Sequence, residues 1–127
     1  MKRILIVDDD MNMVELMGSV FEDDLNIQIY KAYDGEYALE VAMARPAALV
    51  VLDVTLTVRD GWSVLRLLKR DRRTANSKVI IVTGMDGGAA EANAIKLGAD
   101  GFMTKPFSPF DLPGKAAELI HLDLVPA

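Results

Sequence analysis

The chain has 127 residues, a formal net charge of −5 and no cysteine. That length suits one ordinary domain with a complete core, and the missing thiols exclude a disulfide framework and a thiolate metal site. The acidic balance argues against direct nucleic-acid binding, which needs a cationic surface, and no apolar run approaches the roughly 20 residues of a membrane helix.

Lys2–Val7 reads as a first strand, too short an apolar run for a secretory signal. A helix follows from about Met11 to Glu22, with Val14, Met17 and Phe21 spaced for one buried face. In Asn26–Ala32, Ile27 and Ile29 alternate with Gln28 and Tyr30, which suits a strand nearer a sheet edge. Asp34 can cap a second helix with Tyr37, Ala38, Val41 and Ala42 as its apolar positions, and Arg45-Pro46 ends it. Ala48–Leu52 is apolar throughout, as expected of a strand covered on both faces.

Gly61 opens a third helix, with Trp62, Leu65 and Leu68 on one side and Arg66, Lys69 and Arg70 on the other. Those cations, with Arg72 and Arg73, read as a solvated helix end complementing the helix dipole. Lys78–Val82 is a fourth strand. A fourth helix from about Gly88 to Leu97 starts weakly at Gly87-Gly88 and stops at Gly98. Gly101–Met103 is a short fifth strand, and a last helix runs to about Leu122. Ser108-Pro109 suits its start, whereas Pro113-Gly114 either delays it, with Pro113 as its first residue, or kinks it.

Five strands alternating with five helices imply an α/β fold with a parallel sheet and right-handed crossovers. No repeat or linker divides the chain, so residues 1–127 are expected to form one domain with its core at about 2–122. Four polar clusters each follow an apolar run: Asp8-Asp9-Asp10, Asp53, Thr83 and Thr104-Lys105-Pro106. Strands in parallel would gather all four at the carboxyl edge of the sheet, where open α/β folds build their sites.

Three adjacent carboxylates repel one another and call for a cation or full solvation. Side chains alternate along an extended chain, so Asp8 and Asp9 are expected to diverge. Asp10 is assigned to capping the first helix; Asp8 and Asp9 to a divalent cation such as Mg²⁺, which prefers carboxylate, water and phosphate oxygens. Asp53 is the lone carboxylate at the end of its strand and a candidate nucleophile toward a phosphoryl group, with a metal offsetting the repulsion between two anions. Lys105 would neutralise the product, aimed inward by a Lys105-Pro106 bond whose cis form would aim it more tightly. The Thr83 hydroxyl would donate to a phosphoryl oxygen.

With these residues in place, the chain resembles the receiver domain of two-component response regulators along essentially its whole length. The resemblance is carried by Val7-Asp8-Asp9, Leu52-Asp53, Asp60-Gly61, Thr83-Gly84, Gly98-Ala99-Asp100-Gly101-Phe102 and Lys105-Pro106-Phe107. It implies a doubly wound, flavodoxin-like sheet in the order 2-1-3-4-5. Asp53 would be the phosphoacceptor, supplied by a phosphohistidine of a sensor histidine kinase or phosphotransfer protein. Asp9 would bind Mg²⁺ (or Mn²⁺) directly, Asp8 through water, and Thr55 would lend its backbone carbonyl. Thr83 and Phe102 would switch together. The face made by the fourth helix, fifth strand and last helix would bind a downstream protein or a second copy. No effector domain and no membrane partner are expected, and the location would be cytoplasmic.

The chain departs from the family pattern at Thr57, where proline is usual, at Arg59, often methionine, and at Gly84, often alanine. Thr55 and Met85 fall at positions that modulate dephosphorylation, and neither carries a charge or amide to orient water, so slow self-dephosphorylation is expected. Two other functions compete. A phosphohydrolase of the haloacid dehalogenase type would use Asp8-x-Asp10, Thr83 and Lys105, but Asn12 stands where that motif has threonine and no acidic pair follows Lys105. A receiver-like module that signals without phosphorylation would not need the acidic pair, Asp53, Thr83 and Lys105 together. A flavin protein of this layout would need a Gly/Ser/Thr-rich phosphate loop after the first strand, and three aspartates stand there instead.

Overall fold

The computed structural model describes residues 2–56, 59–84 and 87–120. Strands and helices alternate: β1 Lys2–Val7, α1 Met11–Ser19, β2 Ile27–Ala32, α2 Gly35–Ala44, β3 Leu49–Asp53, α3 Gly61–Arg70, β4 Lys78–Thr83, α4 Gly87–Lys96, β5 Gly101–Thr104 and α5 Leu112–Ile120. A single 3₁₀ turn, Pro109–Asp111, leads into α5. The sheet is parallel throughout in the order β2-β1-β3-β4-β5. This is the expected doubly wound α/β layout. Among the described residues no helix is long and apolar enough to cross a membrane.

Alternation along the strands divides the core into two layers. Leu5, Val7, Val50, Leu52, Val79 and Ile81 face α2, α3 and Ala94 of α4. Ile4, Ile6, Leu49, Val51, Ile80 and Val82 face Val14 and Met17 of α1 and Leu112, Ala116 and Ile120 of α5. All five residues of β3 are buried, so the strand that ends in Asp53 is the most enclosed. Each such aliphatic side chain contributes about 1.5–3 kcal/mol by leaving water. The layers thus fix the strand ends on which the polar clusters stand.

Several local expectations needed correction. Helix α1 stops at Ser19, not Glu22: Phe21 and Glu22 donate to Gly18 and Ser19 in a tighter i→i+3 pattern, and Phe21 is still buried. In α2, Tyr37 is half exposed, and the buried stripe is Gly35, Ala38, Leu39 and Ala42. The Asp34 cap, accepting from the Tyr37 amide, sets that register. Lys69 is not a solvated cation. Its amine reaches across to the Ser77 carbonyl at 2.9 Å and to Asp100 Oδ2 at 2.8 Å, which also accepts from the Val79 amide. Its stem passes beside Gly98, which ends α4 at φ 94°, where a side chain would be strained.

The Pro113-Gly114 break is resolved by delay. Helix α5 opens at Leu112, so Pro113 is its second residue, where no intrahelical N–H bond is needed. The expected end of that helix at Leu122, and the departures at Thr57 and Met85, lie outside the described residues.

Candidate phosphoryl and metal site

Strand register brings the polar clusters together. Val7 lies opposite Leu52, Asp53 opposite Val82, and Thr83 opposite Thr104, so all the strands end at one level. Pairing continues past the ends: the Asp8 amide donates to Ala32 at 3.2 Å and the Lys105 amide to Thr83 at 2.8 Å. Gly61 permits this edge to close. Its amide donates to Val54 at 3.0 Å, and a Cβ there would collide with the Val54 backbone and the Asp53 carbonyl.

Asp8, Asp53 and Thr83 are buried to within 2% of completely, while Asp9 is exposed. Lys105 binds two carboxylates at once, with Nζ 3.0 Å from Asp8 Oδ2 and 3.1 Å from Asp53 Oδ2. The Lys105-Pro106 bond is cis. Asp8 Oδ1 accepts from the Asp10 amide at 3.0 Å. That turn carries Asp9 back toward the pocket. Asp8 and Asp9 were expected to diverge, and they do in exposure, but a carboxylate oxygen from each of Asp8, Asp9 and Asp53 lies within 4.8 Å of the others. Opposite ligands of a Mg²⁺-sized ion stand roughly 4.2 Å apart, so this all-oxygen set fits a small hard cation.

Electrostatics point the same way. Three carboxylates face one ammonium, which leaves the pocket with an excess of about two negative charges. Burial pushes the Asp8 carboxyl above its ordinary 3.8, and the Asp53 charge adds to the push; the Asp10 amide and Lys105 oppose it only in part. At Lys105 burial disfavours the ammonium, yet its bonds and attraction to Asp8 and Asp53 outweigh burial and hold it above 10.5. A divalent cation would remove the excess charge.

Asp10 caps α1, its Oδ1 accepting from the Asn12 and Met13 amides, so it is turned away from this cluster. The dehalogenase-like reading needed Asp10 beside Asp8 in the pocket and is left without it. Thr83 ends β4 fully buried, and Phe102 lies half-buried on β5 opposite Ile81, packed on the α2–α3 layer. Phe102 also borders a groove of about 280 Å³ with Ile95, Ala99 and Lys115.

Beyond the carbonyl expected as a metal ligand, Thr55 uses its amide and hydroxyl, which both donate to Asp53 Oδ1 at 3.0 and 2.9 Å. The signal was in the sequence: an Asp followed two places later by Thr invites this local bond. The sequence marks Arg59 as a departure from the family pattern but does not give its partner. It pairs with Glu36 of α2 at 2.8 Å and ties the loop after Asp53 to that helix.

The family profile described as the response regulator receiver domain matches residues 4–117. The chain is 32% identical over 120 residues to PhoP, an alkaline phosphatase synthesis transcriptional regulatory protein of Bacillus subtilis, covering 94% of this chain and 49% of that one. It is 31% identical over 121 residues to RpaA of Synechocystis, a DNA-binding dual master transcriptional regulator, covering 95% and 50%. A solved CheY-like receiver domain protein from Methanospirillum hungatei superposes with a TM-score of 0.87 at 27% identity, covering 95% of this chain and 94% of that one. The chain spans about half the length of the curated relatives it matches.

Proposed function

The chain belongs to the response regulator receiver domain family of two-component systems, and from that premise we propose that Asp53 accepts a phosphoryl group from a phosphohistidine on a sensor histidine kinase or phosphotransfer protein. The observation that carries this reading is the placement of Asp53: buried, 3.1 Å from the Lys105 amine, with oxygens of Asp8 and Asp9 within 4.8 Å.

The Asp53 carboxylate attacks phosphorus, the P–N bond to imidazole breaks, and its electron pair returns to the histidine. The product is an acyl phosphate with close to two negative charges. Asp8 and Asp9 would hold the cation, Mg²⁺ or Mn²⁺, with Asp53 and the Thr55 carbonyl completing the protein's share of ligands. Bound there, a divalent ion would supply the charge that offsets the repulsion between the carboxylate and the incoming phosphoryl group. Lys105, already paired with Asp53, transfers its pairing to a phosphoryl oxygen, and the Thr83 hydroxyl donates to another.

The response follows from Thr83. Its movement toward the phosphoryl group vacates space beside β5, into which Phe102 turns, and this alters the face made by α4, β5 and α5. That face would engage a downstream protein or a second copy, in the cytoplasm. The DNA binding named for RpaA is that protein's, and no nucleic-acid contact is proposed for residues 1–127. Nor is turnover of an external substrate: chemistry is confined to Asp53.

Exposure to a small phosphodonor with Mg²⁺, followed by mass spectrometry, tests the reading. One phosphoryl increment per chain, absent without the metal, supports it. Continuous release of phosphate without a modified chain would instead indicate a phosphohydrolase.

A further inference from the structure

The opposite edge of the sheet is basic and concave. A cavity of about 300 Å³ opens between the start of β1, the turn before β3 and the loop between α3 and β4, lined by Lys2, Arg3, Ala48, Arg73, Asn76 and Ser77 among others. Every charged side chain lining it is a cation. This is unexpected in a chain of net charge −5. We propose that this cavity binds a small phosphate-bearing anion, held by Lys2, Arg3 and Arg73 with the Asn76 amide.

The geometry supports a held ligand more than scattered surface charge. The Arg3 Nε donates to the Pro46 carbonyl at 3.4 Å, which orients the guanidinium and leaves its two terminal nitrogens for a forked contact. Arg73 commits Nε and Nη2 to Asp71 at 3.0 and 2.9 Å, and that pair fixes the guanidinium at the cavity that Arg73 lines. Asp71 itself does not line the cavity. Among the described residues no carboxylate pairs with Lys2 or Arg3. Ser77 is buried and donates to the Ala47 carbonyl, which ties the β4 entry to the β3 entry beneath the cavity. The volume lies at the small end of ligand sites, which suits an inorganic or sugar phosphate more than an extended polymer.

This site is independent of Asp53. Lys2 lies six positions before Asp8 along β1, a span of about 20 Å, against a screening length of about 8 Å at physiological salt. Anion binding should therefore leave phosphoryl uptake at the other edge unchanged.

The test is a ¹H–¹⁵N titration of the full chain with sodium pyrophosphate in EDTA, at ionic strength held constant with sodium chloride. Saturable shifts at Lys2, Arg3, Ala48, Arg73, Asn76 and Ser77, without shifts at Asp8, Asp9 and Asp53, are expected. Arg3→Gln combined with Arg73→Gln should weaken binding about tenfold or more, the loss of two charged contacts. The exposed Lys2→Gln, which leaves the fold intact, should weaken it several-fold. Adenosine diphosphate in a second arm separates sources: tighter binding than pyrophosphate indicates a nucleotide, equal binding a bare phosphate group. Absence of saturable shifts, or equal affinity in the variants, overturns the proposal.

Discussion

The Thr55 hydroxyl donates to Asp53 Oδ1 at 2.9 Å, beside the Thr55 amide, which donates to the same oxygen at 3.0 Å. The Asp53 carboxylate is therefore held by its own loop on one oxygen and by Lys105 on the other. The hydroxyl is one of several supports, and a single hydrogen bond is worth about 0.5–1.5 kcal/mol net. In Thr55→Val, phosphoryl uptake from a small donor should change by no more than about tenfold, as read by stopped-flow fluorescence of Trp62. A hundredfold loss would show that the hydroxyl takes part in the chemistry.

Lys105 distinguishes the proposed metal binding from the proposed phosphoryl binding. Removing its charge in Lys105→Met raises the negative excess at the carboxylates, so Mg²⁺ should bind several-fold more tightly, by about 1 kcal/mol at a partly solvated site. Phosphoryl uptake should fall at least a hundredfold. Stability without metal should drop by about 1–3 kcal/mol, less than for a fully buried pair because the lysine is 25% exposed. Calorimetry with Mg²⁺ and urea unfolding check the two halves; a loss of Mg²⁺ affinity would contradict the charge argument.

Asp8 gives a pH dependence of definite sign. Its carboxyl is held above 3.8 in the folded chain, chiefly by burial, so the fold prefers the protonated form. The associated stability is present below 3.8 and is lost as pH rises through the folded value. Asp8→Asn removes this loss. Without metal, the difference in melting temperature between the variant and the wild type should grow in the variant's favour as pH rises to neutrality. Added Mg²⁺ should then stabilise only the wild type. A variant less stable than wild type at pH 7 would overturn the assignment.

Gly61 is required by space. A Cβ there meets the Val54 backbone and the Asp53 carbonyl, which cannot yield as a flexible side chain would. Gly61→Ala should cost about 1–3 kcal/mol in urea unfolding and slow phosphoryl uptake, because the shift falls on the Asp53 strand end. Unchanged stability would show that the α3 start relaxes freely.

The strand order, the edge position of β2, the capping by Asp10 and the gathering of Asp8, Asp9, Asp53, Thr83 and Lys105 were all legible in the sequence. The strand order rests on the family resemblance, and the rest on local periodicity, a capping preference and the rule that parallel strands end together. What escaped was long-range or rotameric. The Lys69–Asp100 pair joins residues 31 apart in the chain, so helix periodicity assigned Lys69 to solvent. Tyr37 fitted the helical period, but the Asp34 cap set the register toward Leu39. The convergence of Asp9 with Asp8 depends on a turn closed by the Asp10 amide, which strand alternation alone does not describe. The Thr55 and Arg59 contacts lie in the loop after β3, where no helix or strand period assigns partners.

The most direct test of the central assignment is chemical trapping at Asp53. The chain is exposed to a small phosphodonor with Mg²⁺, treated with borohydride, and its peptides are sequenced by mass spectrometry. An acyl phosphate at Asp53 should be reduced to homoserine at that position alone, and the product should vanish when Mg²⁺ is withheld. Homoserine at Asp8 or Asp9, or none anywhere on a chain shown to bind Mg²⁺, would contradict the account.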